Sequence, residues 1–217
     1  MNEAVKAIVV AGGCGRRLHL RRPKSSLELE GRSLIWWTVK SLRDAGMQPI
    51  DVFVDDAKWA DVFRRQVCGP GVRVINDPGY SSTFILFREH CPSNGTCLFA
   101  YGHAPRLPQH YSALVTYDAP LVASVVDHTS RRHRITGPGG ELLEPPFLVR
   151  PPSVRMQGIS SWQDFFRANL HDASLKLHIG LGEFNFAQEW AAYQAYLHQT
   201  LLSGKPGAEE VLPRIPT

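Results

Sequence analysis

Val9-Val10-Ala11-Gly12-Gly13-Cys14-Gly15-Arg16-Arg17-Leu18 follows on from an apolar, β-branched run that begins at Ala4 and reads as a strand. Glycines at 12, 13 and 15 let the chain bend sharply and bring its N–H groups against phosphate oxygens with no Cβ in the way. The spacing is neither GxxxxGK[ST] nor GxGxxG, so two common phosphate loops are excluded. Arg16, Arg17, Arg21, Arg22 and Lys24 come next, and any one of them alone would be a solvated loop charge. A strand and three glycines directly before them favour a small polyanion such as a triphosphate. Cys14 has no base beside it in sequence and reads as a small loop residue, not a nucleophile.

Outward from this loop, helical and strand patterns alternate. Ser33 can cap a helix with Leu34, Trp37, Leu42 and Ala45 on one face, ended by Gly46. A strand over Ile50 to Val54, a helix around Trp59 to Val67, a strand over Val72 to Ile75, a helix near Thr83 to His90 and a strand over Thr96 to Ala100 follow. A helix from Pro108 to Tyr117 and a strand from Leu121 to Val126 come next, and the Gly- and Pro-rich stretch Arg131 to Pro152 reads as hairpin and loop. The final third offers a helix at Trp162 to Leu170, a strand at Leu175 to Ile179 and a helix from Ala187 to Leu202. This rhythm predicts a three-layer α/β/α, Rossmann-like, mostly parallel sheet. One domain is expected over residues 1–202, with a tail at 203–217.

With 217 residues, 43% hydrophobic and 20% charged, the chain suits one large globular domain. Its formal charge of +4 is concentrated in clusters such as Arg64 with Arg65, and Arg131, Arg132 and Arg134. No aromatic-plus-basic stripe accompanies them, which argues against nucleic acid as a partner. The four cysteines include no CxxC pair and no zinc spacing, as expected of free thiols in a reducing compartment. The first apolar run is too short for a signal peptide or a membrane span, so a cytoplasmic protein with no membrane partner is expected.

Val10-Ala11-Gly12-Gly13-Cys14-Gly15-Arg16-Arg17 followed by Pro23-Lys24 resembles the [LV]-A-[AG]-G-x-G-x-R…P-K element of sugar-nucleotide and molybdenum-cofactor-type nucleotidyltransferases. Gly31-Arg32-Ser33-Leu34-Ile35 is similar to that family's G-x-x-L-[IL]. Asn76 through Ser82 is similar to its N-x…S segment, and Glu183 through Trp190 to its late D-[IL]-[ND]-T-P-E-D-[LW]. Pro23 through Gly31 also looks like choline-phosphate cytidylyltransferases.

The resemblance implies a GT-A-type sheet and transfer of NMP from an NTP to a phosphorylated or similar small acceptor, with release of pyrophosphate. It implies that Arg17 holds the β- and γ-phosphates, that Lys24 neutralises charge at the α-phosphorus, and that Ala11, Gly12, Gly13, Cys14, Gly15, Arg16, Ser81 and Ser82 bind the nucleotide. Arg131, Arg132, Arg134 or Arg150 could hold an acceptor phosphate. The base and the oligomeric state stay open.

The family's G-D-x-P, whose Asp binds Mg²⁺, corresponds to Gly102-His103-Ala104-Pro105, and its second ligand position to Asn185, so no carboxylate stands at either place. Asp118 in Asp118-Ala119-Pro120-Leu121 is the rival, provided Ser112 to Tyr117 is the central strand. An active nucleotidyltransferase leads. A non-catalytic nucleotide-binding sensor or partner-stabilising protein is the alternative, with His103 as its motive.

Overall fold

A computed structural model of the chain describes residues 4–13, 15–126, 135–136, 142–169, 175–179, 194–195 and 197–198. The apolar run before the glycines is β1 (Val5–Val10). A small hairpin of β2 (Glu28–Leu29) and β3 (Arg32–Ser33) leads into α1 (Leu34–Asp44), followed by β4 (Ile50–Val54), α2 (Ala57–Val67), β5 (Val72–Asn76), α3 (Thr83–His90) and β6 (Thr96–Tyr101). Then come α4 (Pro108–Thr116), β7 (Leu121–Val126), β8 (Ile135–Thr136), β9 (Leu142–Val149), α5 (Trp162–Asn169) and β10 (Leu175–Ile179).

Among the described residues four helices begin on side-chain caps that answer otherwise unpaired first-turn N–H groups. Ser33 Oγ accepts from Trp36 N, Asp56 Oδ1 from Trp59 N, Ser82 Oγ from Ile85 N, and Ser161 Oγ from Asp164 N. Gly46, at φ 80°, supplies the left-handed turn that ends α1.

The large sheet runs in the order β10-β7-β9-β6-β1-β4-β5, with β8 added against β9. All pairings are parallel except those of β9, which lies antiparallel between β6 and β7. Alternate side chains feed two cores, as the two-residue period of a strand requires. Ala7, Val9, Val52 and Leu98 pack under α1, α2 and α4 with Phe63 and Tyr111. Ile8, Val10, Phe53 and Phe99 pack on the other face with Phe84, Phe87, Phe147, Trp162 and Phe165 of α3, β9 and α5. Parallel strands buried on both faces explain why their sequences are almost wholly apolar. The architecture is the expected three-layer α/β/α.

The stretch expected to be hairpin and loop does pair β8 antiparallel to β9, but β9 is also an eight-residue strand at the centre of the sheet. Prolines ordinarily speak against a central strand because they cannot donate to the ladder. Here the register jumps from Ala123 opposite Phe147 to Ser124 opposite Glu144, so Pro145 and Pro146 fall in the irregularity and owe the ladder no N–H. Their carbonyls accept instead from side chains, Pro146 from Ser124 Oγ and Pro145 from Arg106 Nη2, both at 3.3 Å. The helix expected over Ala187 to Leu202 lies mostly outside the described residues, and the tail at 203–217 wholly so. Among the described residues no helix is long and apolar enough to cross a membrane.

Candidate functional site

The glycine loop emerges at the carboxyl end of β1, the edge at which open α/β sheets hold ligands. Gly13 and Gly15 take φ values of 90° and 58°, which side chains rarely adopt. Gly15 starts a single 3-10 turn over Arg16–Leu18 and accepts from Leu18 N and Leu20 N. Gly12 is glycine for space: a Cβ there would lie 2.5 Å from Asp55 Oδ1 and 2.9 Å from Tyr80 Oη. Asp55, just past β4, accepts the Gly13 N–H through Oδ1 at 3.0 Å and Oδ2 at 3.1 Å. Burial, reinforced by the charges of Asp55 and Asp77, pushes the Tyr80 hydroxyl up to about 12, so the phenol keeps its proton. Tyr80 thereby places the 76–82 segment against the glycine loop.

Lys24 reaches this edge through a second turn. Ser26 donates to the carbonyl of Pro23 through both its N–H and its hydroxyl, closing the turn Lys24–Ser26. Ser25, fully buried, packs against Gly102, where a Cβ would also meet Ile35 Cδ1 at 2.7 Å and Ala11 Cβ at 2.9 Å. Gly102 is held between β1 and α1, donating its N–H to Val10 O at 2.8 Å and accepting from Thr38 Oγ1 at 3.1 Å. The glycine loop and the lysine turn, neighbours in sequence, meet here with the end of β6, which is distant from both.

His103 follows Gly102. It is 8% exposed, and its ring stacks on Tyr101 with centroids 5.3 Å apart. Asp118 is elsewhere. The segment that would have had to be a central strand is α4, and Asp118 precedes β7 at the opposite edge of the sheet. Arg150 belongs to that far edge too, because its guanidinium donates to the carbonyls of Ala119 and Val115, so it does not face the glycine loop as an acceptor ligand would. Ser82 spends its hydroxyl on the α3 cap and on Ser160 O, while Ser81 stands next to Tyr80. Arg16 is exposed, and Lys24 is half-buried. For Arg17 the backbone alone is described, within the Arg16–Leu18 turn. Cys14, Arg131, Arg132, Arg134 and Asn185 lie outside the described residues.

Magnesium wants several hard oxygen ligands in an octahedron. Among the described residues no three His, Cys, Asp or Glu side chains gather to hold a metal. At the place in question stands a buried imidazole, and Asp55, the carboxylate that meets the glycine loop, is engaged on Gly13. The described side chains therefore do not fit a protein-held Mg²⁺.

Sequence reasoning passed over Asp55, Tyr80 and Arg106. An acid directly after the apolar strand β4 was a readable sign, since strand ends line the ligand edge. Nothing in the sequence marks Arg106 as a buried cation.

Residues 7–155 match the model of the MobA-like NTP transferase domain. A 63-residue stretch is 29% identical to a 2-C-methyl-D-erythritol 4-phosphate cytidylyltransferase of Lachnospira eligens, and it spans 29% of this chain and 28% of that relative. Among solved structures, a nucleotidyl transferase from Methanothermobacter superposes with a TM-score of 0.67 at 18% identity, over 92% of this chain and 100% of the other. Rv0371c from Mycobacterium tuberculosis H37Rv superposes with a TM-score of 0.63 at 14% identity, over 91% and 100%. At these identities the structural likeness speaks for the fold.

Proposed function

The chain belongs to the MobA-like NTP transferase family, and on that premise we propose that it transfers a nucleoside monophosphate from an NTP to a phosphorylated or similar small acceptor, releasing pyrophosphate. The observation that carries this reading is the packing of the Lys24 turn, through Ser25, against Gly102 and Ala11 beside the glycine loop. That packing brings the Lys24 turn to the carboxyl end of β1, which supports reading Lys24 as a cation that faces the phosphates.

In this reading the backbone from Ala11 to Gly15, with Arg16, cradles the triphosphate. Arg17 holds the β- and γ-phosphates, and Lys24 neutralises the charge that builds on the α-phosphorus as the acceptor oxygen attacks. Such transfers gain chiefly from alignment and from fixed charges aimed at the transition state. Ser81 borders the nucleotide next to Tyr80, and Ser82 sets the start of α3. The catalytic unit spans residues 1–202, and the compartment is the cytoplasm.

His103 at the family's Asp position favours a second reading, a nucleotide-binding member that senses or stabilises a partner without turnover. A thermal-shift panel of the four NTPs, with and without Mg²⁺, tests both. A ligand raises the melting temperature only by binding the folded state. Stabilisation by one NTP, followed by release of pyrophosphate on adding an acceptor, supports the transferase. Mg²⁺-independent stabilisation with no turnover supports the second reading, and no shift with any NTP overturns both.

A further inference from the structure

Arg106 lies three residues past His103, in the connection from β6 to α4, and is 3% exposed. Among the described residues its guanidinium makes one long hydrogen bond, Nη2 to Pro145 O at 3.3 Å, while Nε and Nη1 are buried and meet no acceptor. None of the ion pairs among the described residues includes it. A guanidinium cannot shed its proton, so burying it unpaired is strongly unfavourable. A strut for Pro145 needs no charge: the adjacent carbonyl, that of Pro146, is served at the same 3.3 Å by the neutral hydroxyl of Ser124.

The location is specific. Pro145 comes two residues beyond the pairing of Phe147 with Phe99 of β6, on the side toward the carboxyl end of β6. Arg106 therefore reaches the same edge as the stacked rings of Tyr101 and His103, on the flank of the glycine loop away from β4. We propose that Arg106 is an anion-binding residue of the site, whose unused Nε–H or Nη1–H, paired with the Nη2 hydrogen that Pro145 leaves over, takes the oxygens of a phosphate. That phosphate belongs either to the nucleotide or to the acceptor. A planar, permanently charged fork suits phosphate oxygens, and it places a built-in cation where the described side chains do not fit Mg²⁺. Because Nε and Nη1 are closed to solvent, the ligand must open the β6–α4 connection to reach them.

The inference rests on the nucleotide reading for the identity of the anion, and its test separates the two. Melting temperature and affinity are measured for wild type, Arg106→Met and Arg106→Lys with inorganic pyrophosphate, with an NTP, and with inorganic phosphate both alone and added to NTP-saturated protein. Arg106→Met removes an uncompensated buried charge while keeping an apolar stem, so without ligand its melting temperature should equal or exceed that of wild type. Its affinity for the anion should fall roughly tenfold or more, the scale of a lost charge-assisted hydrogen bond. Arg106→Lys, which keeps a charge but not the fork, should fall in between, and it carries the test should the methionine variant not fold.

Weakened pyrophosphate and NTP binding would assign Arg106 to the nucleotide's phosphates. Weakening confined to inorganic phosphate would assign it to the acceptor. Unchanged affinity for all three anions, or a wild type that binds none of them, overturns the proposal. A wild type that binds no NTP but shows Arg106-dependent binding of inorganic phosphate would sink the nucleotide reading and leave the anion site standing.

Discussion

The carboxylate of Asp55 accepts the backbone N–H of Gly13 through both oxygens, at 3.0 and 3.1 Å, so a backbone donor of the glycine loop is held by an acid of the chain itself. On the proposed function, an incoming polyphosphate has to displace that carboxylate and then sit beside a like charge. Two unit charges about 4 Å apart repel by roughly 1–4 kcal/mol between bulk water and a protein surface, and salt screens the effect. Asp55→Asn should therefore tighten pyrophosphate binding by up to about tenfold at low salt, with the gain shrinking as ionic strength rises. Calorimetry with pyrophosphate, which has no base to complicate the comparison, reads this directly. Equal affinities for the two proteins at low salt would show that the Asp55 charge does not oppose the phosphates.

Lys24 has the opposite sign. Its turn is fastened to Gly102 by the buried Ser25, so Lys24→Ala should remove a positioned charge and leave the loop in place. NTP and NMP binding should both weaken, NTP by roughly tenfold or more as for other hydrogen bonds to charged groups, because both carry the α-phosphate, whereas binding of the bare nucleoside should change little. Titrating all three into both proteins checks it, and an equal loss for the nucleoside, or no loss for either nucleotide, would place Lys24 away from the phosphate chain.

Gly102 joins the lysine turn to the sheet, and its substitution tests that joint. A Cβ would sit 2.9 Å from Ala11 Cβ and 2.7 Å from Ile35 Cδ1. Ile35 can rotate away, but Ala11 cannot. Gly102→Ala should cost about 1–3 kcal/mol, the usual penalty of overpacking, and should weaken NTP binding because the Lys24 turn is displaced with it. Urea denaturation measures the first effect, and a wild-type midpoint would mean that the three segments are less tightly joined than these distances require.

Most of the sheet was legible because its strands are continuous apolar runs between turn residues. Thr83 to His90 and Leu121 to Val126 coincide with an observed helix and strand. β9 escaped because Pro145 and Pro146 read as loop, and only the register shift opposite Ala123 and Ser124 shows how a central strand can contain them. At the site, the glycine loop and the lysine were visible in sequence as a local pattern. The contacts made by Asp55, Tyr80 and Arg106 were not, since each depends on a chain crossover: Gly13 and Asp55 are 42 residues apart, and Arg106 and Pro145 are 39.

Asp51 links three strands at the edge opposite the site. It is 1% exposed, bound by Arg73 through Nε at 2.7 Å and Nη2 at 2.8 Å, with Lys6 Nζ at 3.0 Å. Burial alone would raise its pKa, but the hydrogen bonds and charges of Arg73 and Lys6 outweigh it and hold the carboxyl below its ordinary 3.8. A depressed carboxylate contributes stability above its unfolded pKa and loses it as pH falls through the folded one. Asp51→Asn should thus cost about 1–3 kcal/mol at neutral pH, and the gap to wild type should narrow as pH drops below 3.8. Urea denaturation across that range decides, and a gap that stays constant would mean that the charge of Asp51 contributes nothing.

His103 gives the test of the missing metal ligand. It stands at the carboxyl end of β6, where the family pattern has an Asp, while Asp118 follows α4 at the other edge of the sheet. An imidazole is a poor partner for a hard cation, and a carboxylate returns both an oxygen ligand and a negative charge. His103→Asp should therefore create or strengthen Mg²⁺-dependent NTP binding, and Asp118→Ala should leave it unchanged. Calorimetry of NTP binding with and without Mg²⁺, in wild type and the two variants, is the measurement. If wild type already depends on Mg²⁺ and loses that dependence in Asp118→Ala but not on changing His103, a carboxylate far from the glycine loop would be holding the metal, and the assignment of the ligand edge would be wrong. If no variant binds any NTP more tightly than about −4 kcal/mol, the free energy of a millimolar complex, the nucleotide reading fails together with its metal.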